Sequence, residues 1–376
     1  MVERVYLIRH AEAEGNIYRR VHGTYDSLLT ENGILQVEAL RERMKGESVG
    51  RVFSSDLMRA VKTAGAVRTR SKIIEIPAFR EMYMGAYEDS TWGELLRRDR
   101  GIAGRYAADM DYRIEGGESM RDVYNRVSPS LGGITKGGAE AVAIVSHSFA
   151  LRAVMCALWG KPAEGINDSP MVGNASVSLF VRDGGGYRDE YINDVGHLKG
   201  LENFKAGCPE EYGIENPQLW FRSAENAADI EAATLYWENT WFLVNGRSSG
   251  FDRLAAESEI RRILRGDKDS VRFAMLEDME IGILIMDSKN LYEDDCGHIS
   301  LFAVKEGFRG CGLSVQMVGE AISFYRNRGR SRLRLRVSAA NERAIKFYKR
   351  NGFKEASLEY DSDGEQYIMK KSIGRG

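Results

Sequence analysis

VYLIRHAEAEGN, residues Val5 to Asn16, is the stretch from which the rest of the chain can be read. Its run of β-branched and large apolar residues predicts a buried strand, which ends abruptly in Arg9-His10. A buried strand has no structural use for a cation and an imidazole at its tip. An anionic substrate does: Arg presents a planar fork of donors to phosphate oxygens, and neutral His presents a nucleophilic nitrogen. In open α/β sheets the carboxyl ends of the strands are where ligands bind.

Moving outward, Leu35, Ala39, Leu40 and Met44 recur at helical spacing, with Thr30 placed to cap that helix. A short strand, RVFSS, leads into DLMRAVKTAGAVRTR, where Leu57, Val61, Ala64 and Val67 mark a helix with Asp56 at its start. Arg59 then falls in the first turn, aimed back toward the Arg9-His10 tip if the two strands are neighbours. A strand from Ile73 to Pro77 places Glu81 just beyond a strand end, and Gly85 permits a close turn. Ser119, in EGGES, caps a further helix. The stretch EAVAIVSHSFALRAVMCALWG then repeats the opening arrangement: a strand from Ala141 to Val145, His147 at its tip, and an apolar helix behind. Two strands therefore end in histidine in a chain with five histidines.

Composition narrows the field. A chain of 376 residues is too long for one ordinary core and fits about two domains. With 53 basic and 55 acidic residues evenly mixed and a net charge of -2, nothing points to nucleic acid or an anionic membrane surface. The four cysteines, Cys156, Cys208, Cys296 and Cys311, never adopt a paired spacing, which argues against a zinc site or a disulfide framework. MVERVYLIRH has no basic leader with an apolar core, and no apolar run approaches bilayer length. The expectation is a cytoplasmic protein, with no nucleic-acid or membrane partner and no metal.

RHAEAEGN, SSDLMRAVKTA, REMYMGAYE, EGGES and VSHS, in that order over about the first 195 residues, resemble the histidine phosphatase superfamily, the phosphoglycerate mutase-like enzymes. The resemblance implies a three-layer α/β/α domain over residues 1–195. It implies that His10 is the nucleophile forming a phosphohistidine, that Arg9, Arg59 and His147 hold the phosphoryl oxygens, and that Asn16 adds a further phosphate contact. By the same resemblance Glu81 is the general acid and then the base for water, and His22 stands at the pocket rim. The chain departs from the family's usual pattern at Ala11, Ala13 and Ser148, where Gly, Thr or Ser, and Gly are common. None of these deletes a member of the Arg-His-Arg-Glu-His set. The same five residues serve mutases, which carry a longer insertion after the Glu segment. Only about 35 residues separate Glu81 from EGGES, so hydrolysis without metal or cofactor is the reading.

After the strands SVSLFVR and Tyr187 to Ile192, periodicity is lost over 196–217, where Gly196, Gly200, Gly207, Pro209, Gly213 and Pro217 gather as a linker or docking segment. The second domain, 218–376, opens with the strand LWFR and helices from about Asp229 and about Asp252. Two strands hinged at Asp278-Met279 follow. GHISLFAVKEGFRGCGLSVQMVGEAISFY then places a strand ending at Val304, a loop through Arg309, Gly310, Cys311, Gly312, Leu313 and Ser314, and a helix at once. Successive N–H groups at a helix start, with glycines allowing close approach, suit a pyrophosphate. The strand RLRLRVS and a helix capped by Asn341 complete the pattern. Together these resemble GNAT-type N-acetyltransferases over about residues 219 to 372, an α+β fold with a mixed sheet.

That resemblance implies an acetyl-CoA site made by Val304 and the loop Arg309 to Ser314, with Asn341 near the CoA arm and Tyr348 protonating the departing thiolate. Among the residues near the central strands, Glu277, Glu280 and His298, none can be chosen as general base. An amine-bearing acceptor is expected to meet Trp237 to Phe251. The whole reads as a bifunctional enzyme acting on a small phosphorylated metabolite and on an amine. The alternatives are mutase chemistry in the first half, or a sensing protein with one inactive half.

Overall fold

The computed structural model describes residues 1–376 except 70, 202, 204, 205, 247–249, 291–294, 362, 363, 375 and 376. The chain divides into two compact units, Met1–Ser90 with Arg98–Phe204, and Thr91–Arg97 with Lys205–Gly376. The segment after residue 195 begins by packing onto the first unit. Leu198 is buried in its core and Leu201 packs against that core, because each carries an apolar side chain in an otherwise glycine-rich stretch.

In chain order the first half contains β1 (Arg4–Arg9), α1 (Glu14–Tyr18), α2 (Glu31–Met44), β2 (Arg51–Ser54), α3 (Met58–Ala64), β3 (Ile74–Glu75) and α4 (Trp92–Arg98). It continues with α5 (Ile102–Ala108), α6 (Met120–Thr135), β4 (Ala141–Ser146), α7 (Ser148–Leu158), β5 (Val177–Asp183) and β6 (Gly186–Asp194). The sheet order is β3-β2-β4-β1-β5-β6. The first four strands are parallel and β5 runs antiparallel to β1. All six residues of β4 are buried, as a central strand covered on both faces must be. Tyr6, Ile8, Ala143 and Val145 pack toward Leu40, Met44, Ala60 and Ala64 of α2 and α3, while α6 and α7 pack together on the other face. This is a three-layer α/β/α unit.

Thr30 caps α2 by accepting from the Gly33 N–H, and Ser119 and Asp122 form a reciprocal capping box on α6. One local reading is corrected. The expected strand Ile73 to Pro77 is only Ile74–Glu75, because Pro77, which has no N–H, opens a short 3-10 turn instead. Asp56, just ahead of α3, pairs with Arg80, and Asp26 accepts from the Met58 N–H at 3.0 Å.

The second unit carries β7 (Leu219–Ser223), α8 (Ala227–Asn245), α9 (Arg253–Gly266), β8 (Val271–Leu276), β9 (Met279–Asp287) and β10 (Cys296–Val304). After these come α10 (Ser314–Arg326), β11 (Arg332–Ser338), α11 (Glu342–Arg350), β12 (Lys354–Asp361) and β13 (Gly364–Ser372). Its sheet, in the order β12-β13-β11-β10-β9-β8-β7, is mixed, since β10 and β11 are parallel and their other neighbours antiparallel. Ala233, Ile260 and Ile263 of α8 and α9 close the core against Phe273, Ile283, Ile285 and Leu301. Among the described residues, no helix is long and apolar enough to cross a membrane.

Candidate functional site

Because β1 and β4 are parallel neighbours, their tips deliver His10 and His147 side by side. The His10 N–H bonds the Ser146 carbonyl at 2.9 Å, and the two imidazole centroids lie 5.0 Å apart. His22 joins them, its centroid 6.5 Å from that of His10. Its ring lies against Gly15, where a Cβ would fall 1.7 Å from Nε2, so only glycine allows this approach. Burial and the neighbouring Arg59 and Arg9 guanidiniums hold His10, His22 and His147 well below the usual imidazole range. All three rings are neutral at physiological pH.

His10 Nδ1 lies 2.7 Å from the Ala11 carbonyl oxygen, which can only accept. Nδ1 is therefore the protonated nitrogen, and Nε2 keeps its lone pair. Arg59 is fully buried, its Nη atoms donating to the Gly23 and Tyr25 carbonyls at 2.8 and 2.9 Å, and burial lowers it to about 10, still charged. Arg9 donates to the Val172 carbonyl at 2.6 Å. Among the described residues, Arg9 Nε, Arg59 Nε and His147 Nδ1 are buried without a hydrogen-bond partner. The two guanidinium donors, on fixed cations, are what an anion would satisfy.

Glu81 sits against the start of α7. Its Oε1 accepts from the Phe149 and Ala150 N–H groups at 3.1 and 3.2 Å and from the Met82 N–H at 3.0 Å. Its negative charge acts on both Arg9 and Arg59. The structure thus brings Arg9, His10, Asn16, His22, Arg59, Glu81 and His147 together at the tips of β1 and β4. Sequence reasoning missed Ser55, whose hydroxyl lies 2.9 Å from His147 Nε2, and Asn174, which donates to the His10 carbonyl at 2.9 Å. Both are small polar residues in loops, with no periodic signal to mark them.

The family model for the histidine phosphatase superfamily (branch 1) matches residues 5–195, about half of the chain. The chain belongs to the histidine phosphatase superfamily. Relatives include the "Probable phosphoglycerate mutase GpmB" of Proteus mirabilis (strain HI4320), 33% identical over 164 residues, which are 43% of this chain and 76% of that protein. The protein of the same name from Salmonella choleraesuis (strain SC-B67) is 33% identical over 165 residues, with the same shares. A solved structure titled "Bacillus stearothermophilus YhfR" is 29% identical and covers 52% of this chain and 98% of its own, with a TM-score of 0.46.

The second unit of this superfamily member carries the glycine loop singled out in the sequence. The parallel pairing of β10 with β11 runs from Cys296↔Arg332 to Ile299↔Leu335, and a bulge between Ile299 and Leu301 follows on the β9 side. Beyond it β10 ends at Val304, whose carbonyl accepts from Arg309 Nε at 2.8 Å. Gly310 and Gly312 adopt φ of +88° and +83°, conformations that favour glycine, and α10 begins at Ser314. A Cβ on Gly310 would meet an Arg343 guanidinium nitrogen at 3.3 Å, which puts a cation that sequence reasoning missed beside the loop.

Asn341 caps α11 by accepting from the Ala344 N–H at 3.1 Å. Tyr348 lies in a ring cluster with Phe302, Phe347 and Phe353 at centroid separations of 5.9, 5.3 and 5.5 Å, and burial pushes its phenol up. Of the residues left open as bases, Glu280 pairs with Lys305 at 3.5 Å and Arg222 at 3.7 Å, and His298 is lowered to about 4 by burial and Arg334. The Glu277 carbonyl accepts from Trp220 Nε1 at 2.7 Å. The expected acceptor segment Trp237 to Phe251 falls partly outside the described residues. The acetyltransferase (GNAT) family model matches residues 237–353.

Proposed function

We propose that the first unit hydrolyses a small phosphomonoester through a phosphohistidine on His10. The observation that carries this reading is the His10 Nδ1 contact with the Ala11 carbonyl, which frees Nε2 beside Arg9, Arg59 and His147. In the first step the Glu81 carboxylate takes the proton of the monoanionic substrate phosphate, Nε2 attacks phosphorus, the bond from phosphorus to the leaving oxygen breaks, and that oxygen takes the proton from Glu81. In the second, Glu81 removes a proton from water, the water oxygen attacks phosphorus, and the P–N bond breaks to return neutral His10. Arg9, Arg59, His147 and Asn16 hold the phosphoryl oxygens, with fixed positive charge where negative charge spreads. His22 lines the same pocket.

The test is a metal-free assay with an aryl phosphate, comparing the intact protein with His10→Ala and trapping the phosphoprotein. Activity in chelator that disappears with His10, together with loss of the trapped species, supports the reading; equal activity of the two proteins ends it. The name of the GpmB relatives favours one second reading, phosphoglycerate mutase chemistry. Interconversion of 2- and 3-phosphoglycerate without release of phosphate would select it.

We further propose that the second unit transfers an acyl group from acetyl-CoA to an amine. The glycine cradle at Gly310 and Gly312, the start of α10 and Arg343 fit a pyrophosphate, and Val304, Arg309, Cys311, Leu313 and Ser314 belong to the same strand end and loop. Acetyl-CoA would supply the activated thioester. Tyr348, kept protonated by burial, is suited to give its proton to the departing thiolate, and Asn341 fixes the start of the helix that carries it. The cysteines Cys156, Cys208, Cys296 and Cys311 are all free, which supports a reducing, cytoplasmic setting.

A further inference from the structure

Four side-chain amides line up behind the nucleophile loop, and backbone groups set the direction of three of them, Gln36, Asn174 and Asn16. Gln36, fully buried, accepts through Oε1 from the Glu12 N–H at 2.8 Å and donates through Nε2 to the Leu201 carbonyl at 2.8 Å. Neither bond survives a flip of the amide, so Nε2 also faces Asn203 Oδ1, at 2.9 Å. Asn203 Nδ2 then points to Asn174 Oδ1, at 2.6 Å. Asn174 Nδ2 donates to the His10 carbonyl at 2.9 Å, which fixes that amide independently, and approaches Asn16 Oδ1 at 3.3 Å. Asn16 Oδ1 also accepts from the Ala13 N–H at 2.9 Å.

Every link runs donor to acceptor in one direction. It begins at a backbone N–H that can only donate and ends with the oxygen of Asn16 taken by two donors. The atom of Asn16 left to face an anion is Nδ2, a donor. We infer that Asn203, Asn174 and Gln36 are positioning residues that hold Asn16 with its donor toward the phosphoryl group, so that Asn203, outside every recognisable motif, acts on the reaction through Asn16.

The inference rests on the phosphoryl-transfer reading for its activity arm. A binding arm with orthovanadate, which takes the trigonal bipyramidal shape of phosphoryl transfer, stands apart from turnover. Asn203→Asp keeps the shape and the acceptor for Gln36 but places an acceptor against Asn174 Oδ1. Asn203→Ala, which adds no charge, is the second variant. In the full chain, assayed well below the melting temperature of either variant, each is expected to weaken vanadate binding and lower kcat/KM for an aryl phosphate about tenfold; the melting temperature falls as well, because Asn174 Oδ1 loses its donor. In an Asn16→Ala background the same changes are expected to have almost no further effect, since the relay then has nothing to orient.

Wild-type vanadate affinity in both variants overturns the inference, as does an effect that multiplies fully with that of Asn16→Ala. A protein that binds vanadate with this pattern of losses yet never hydrolyses the ester keeps the relay and loses the hydrolase reading. One that binds no vanadate at all loses the relay.

Discussion

His10 Nδ1 donates to the carbonyl of its own neighbour, Ala11, across 2.7 Å. The bond costs the ring nothing in reach, because the acceptor is main chain and moves with the loop. It also makes the nucleophile a single nitrogen. The phosphoenzyme is therefore expected to be the Nε2 isomer alone, which phosphorus-nitrogen coupling in a labelled sample distinguishes from the Nδ1 isomer. Phosphate on Nδ1 would mean that the tautomer is set otherwise.

Glu81 holds three backbone N–H groups, two of them from the first turn of α7. Glu81→Gln keeps an oxygen for those donors but removes the charge and the capacity to take up and give a proton. The expected loss in kcat is about 10²- to 10⁴-fold, against a stability change of about 0.3–1 kcal/mol from the lost charge at the helix start. With a good leaving group, phosphorylation of His10 needs no acid while dephosphorylation still needs a base. The variant should accordingly accumulate phosphohistidine, seen as slowed decay after rapid mixing. Unchanged decay would remove Glu81 from the second step.

Three neutral imidazoles in one cluster make stability depend on pH. Unfolded His takes up a proton near pH 6.5, whereas burial and Arg59 keep folded His10, His22 and His147 unprotonated well below that. Above about pH 6.5 neither state binds the protons and stability is unaffected. Below it the unfolded chain binds more, so stability falls with pH by up to about 1.4 kcal/mol per pH unit for each ring. Urea titrations at about pH 7.5 and about pH 5.5 read the slope. The carboxylates lowered by their partners, such as Asp56 beside Arg80, act in a separate window at more acid pH. A flat profile across the imidazole window would show that these rings are solvated.

Apolar period and strand tips made β1, β4 and the Arg9, His10 and His147 constellation legible, and cap residues located the starts of α2, α6 and α11. Each of those signals is local, a side chain that must point a given way within its own element. What was not legible depends on pairs far apart in the chain. Asn174 and Asn203 gain meaning only through bonds to His10 and to each other, and an amide in a loop carries no period. His22 could be placed near the rim, but its fit over Gly15 required the fold. The loop order around Gly310 was readable, whereas Arg343 reaches it from the next helix.

Tyr348 offers a way to separate packing from chemistry in the second unit. Its ring is held by Phe302, Phe347 and Phe353, so Tyr348→Phe leaves the aromatic cluster filled and should leave the unit as stable as before. If the phenol gives its proton to the thiolate, acyl transfer to an amine should fall about a hundredfold. Binding should persist, because the cradle lies on another element: acetyl-CoA at a hundred times its dissociation constant is expected to stabilise both proteins by about 2.7 kcal/mol. Thermal shift reads the binding, and release of free thiol reads the transfer. A variant that transfers as fast as the parent would make Tyr348 a core aromatic, and absence of stabilisation in both proteins would remove acetyl-CoA from the cradle.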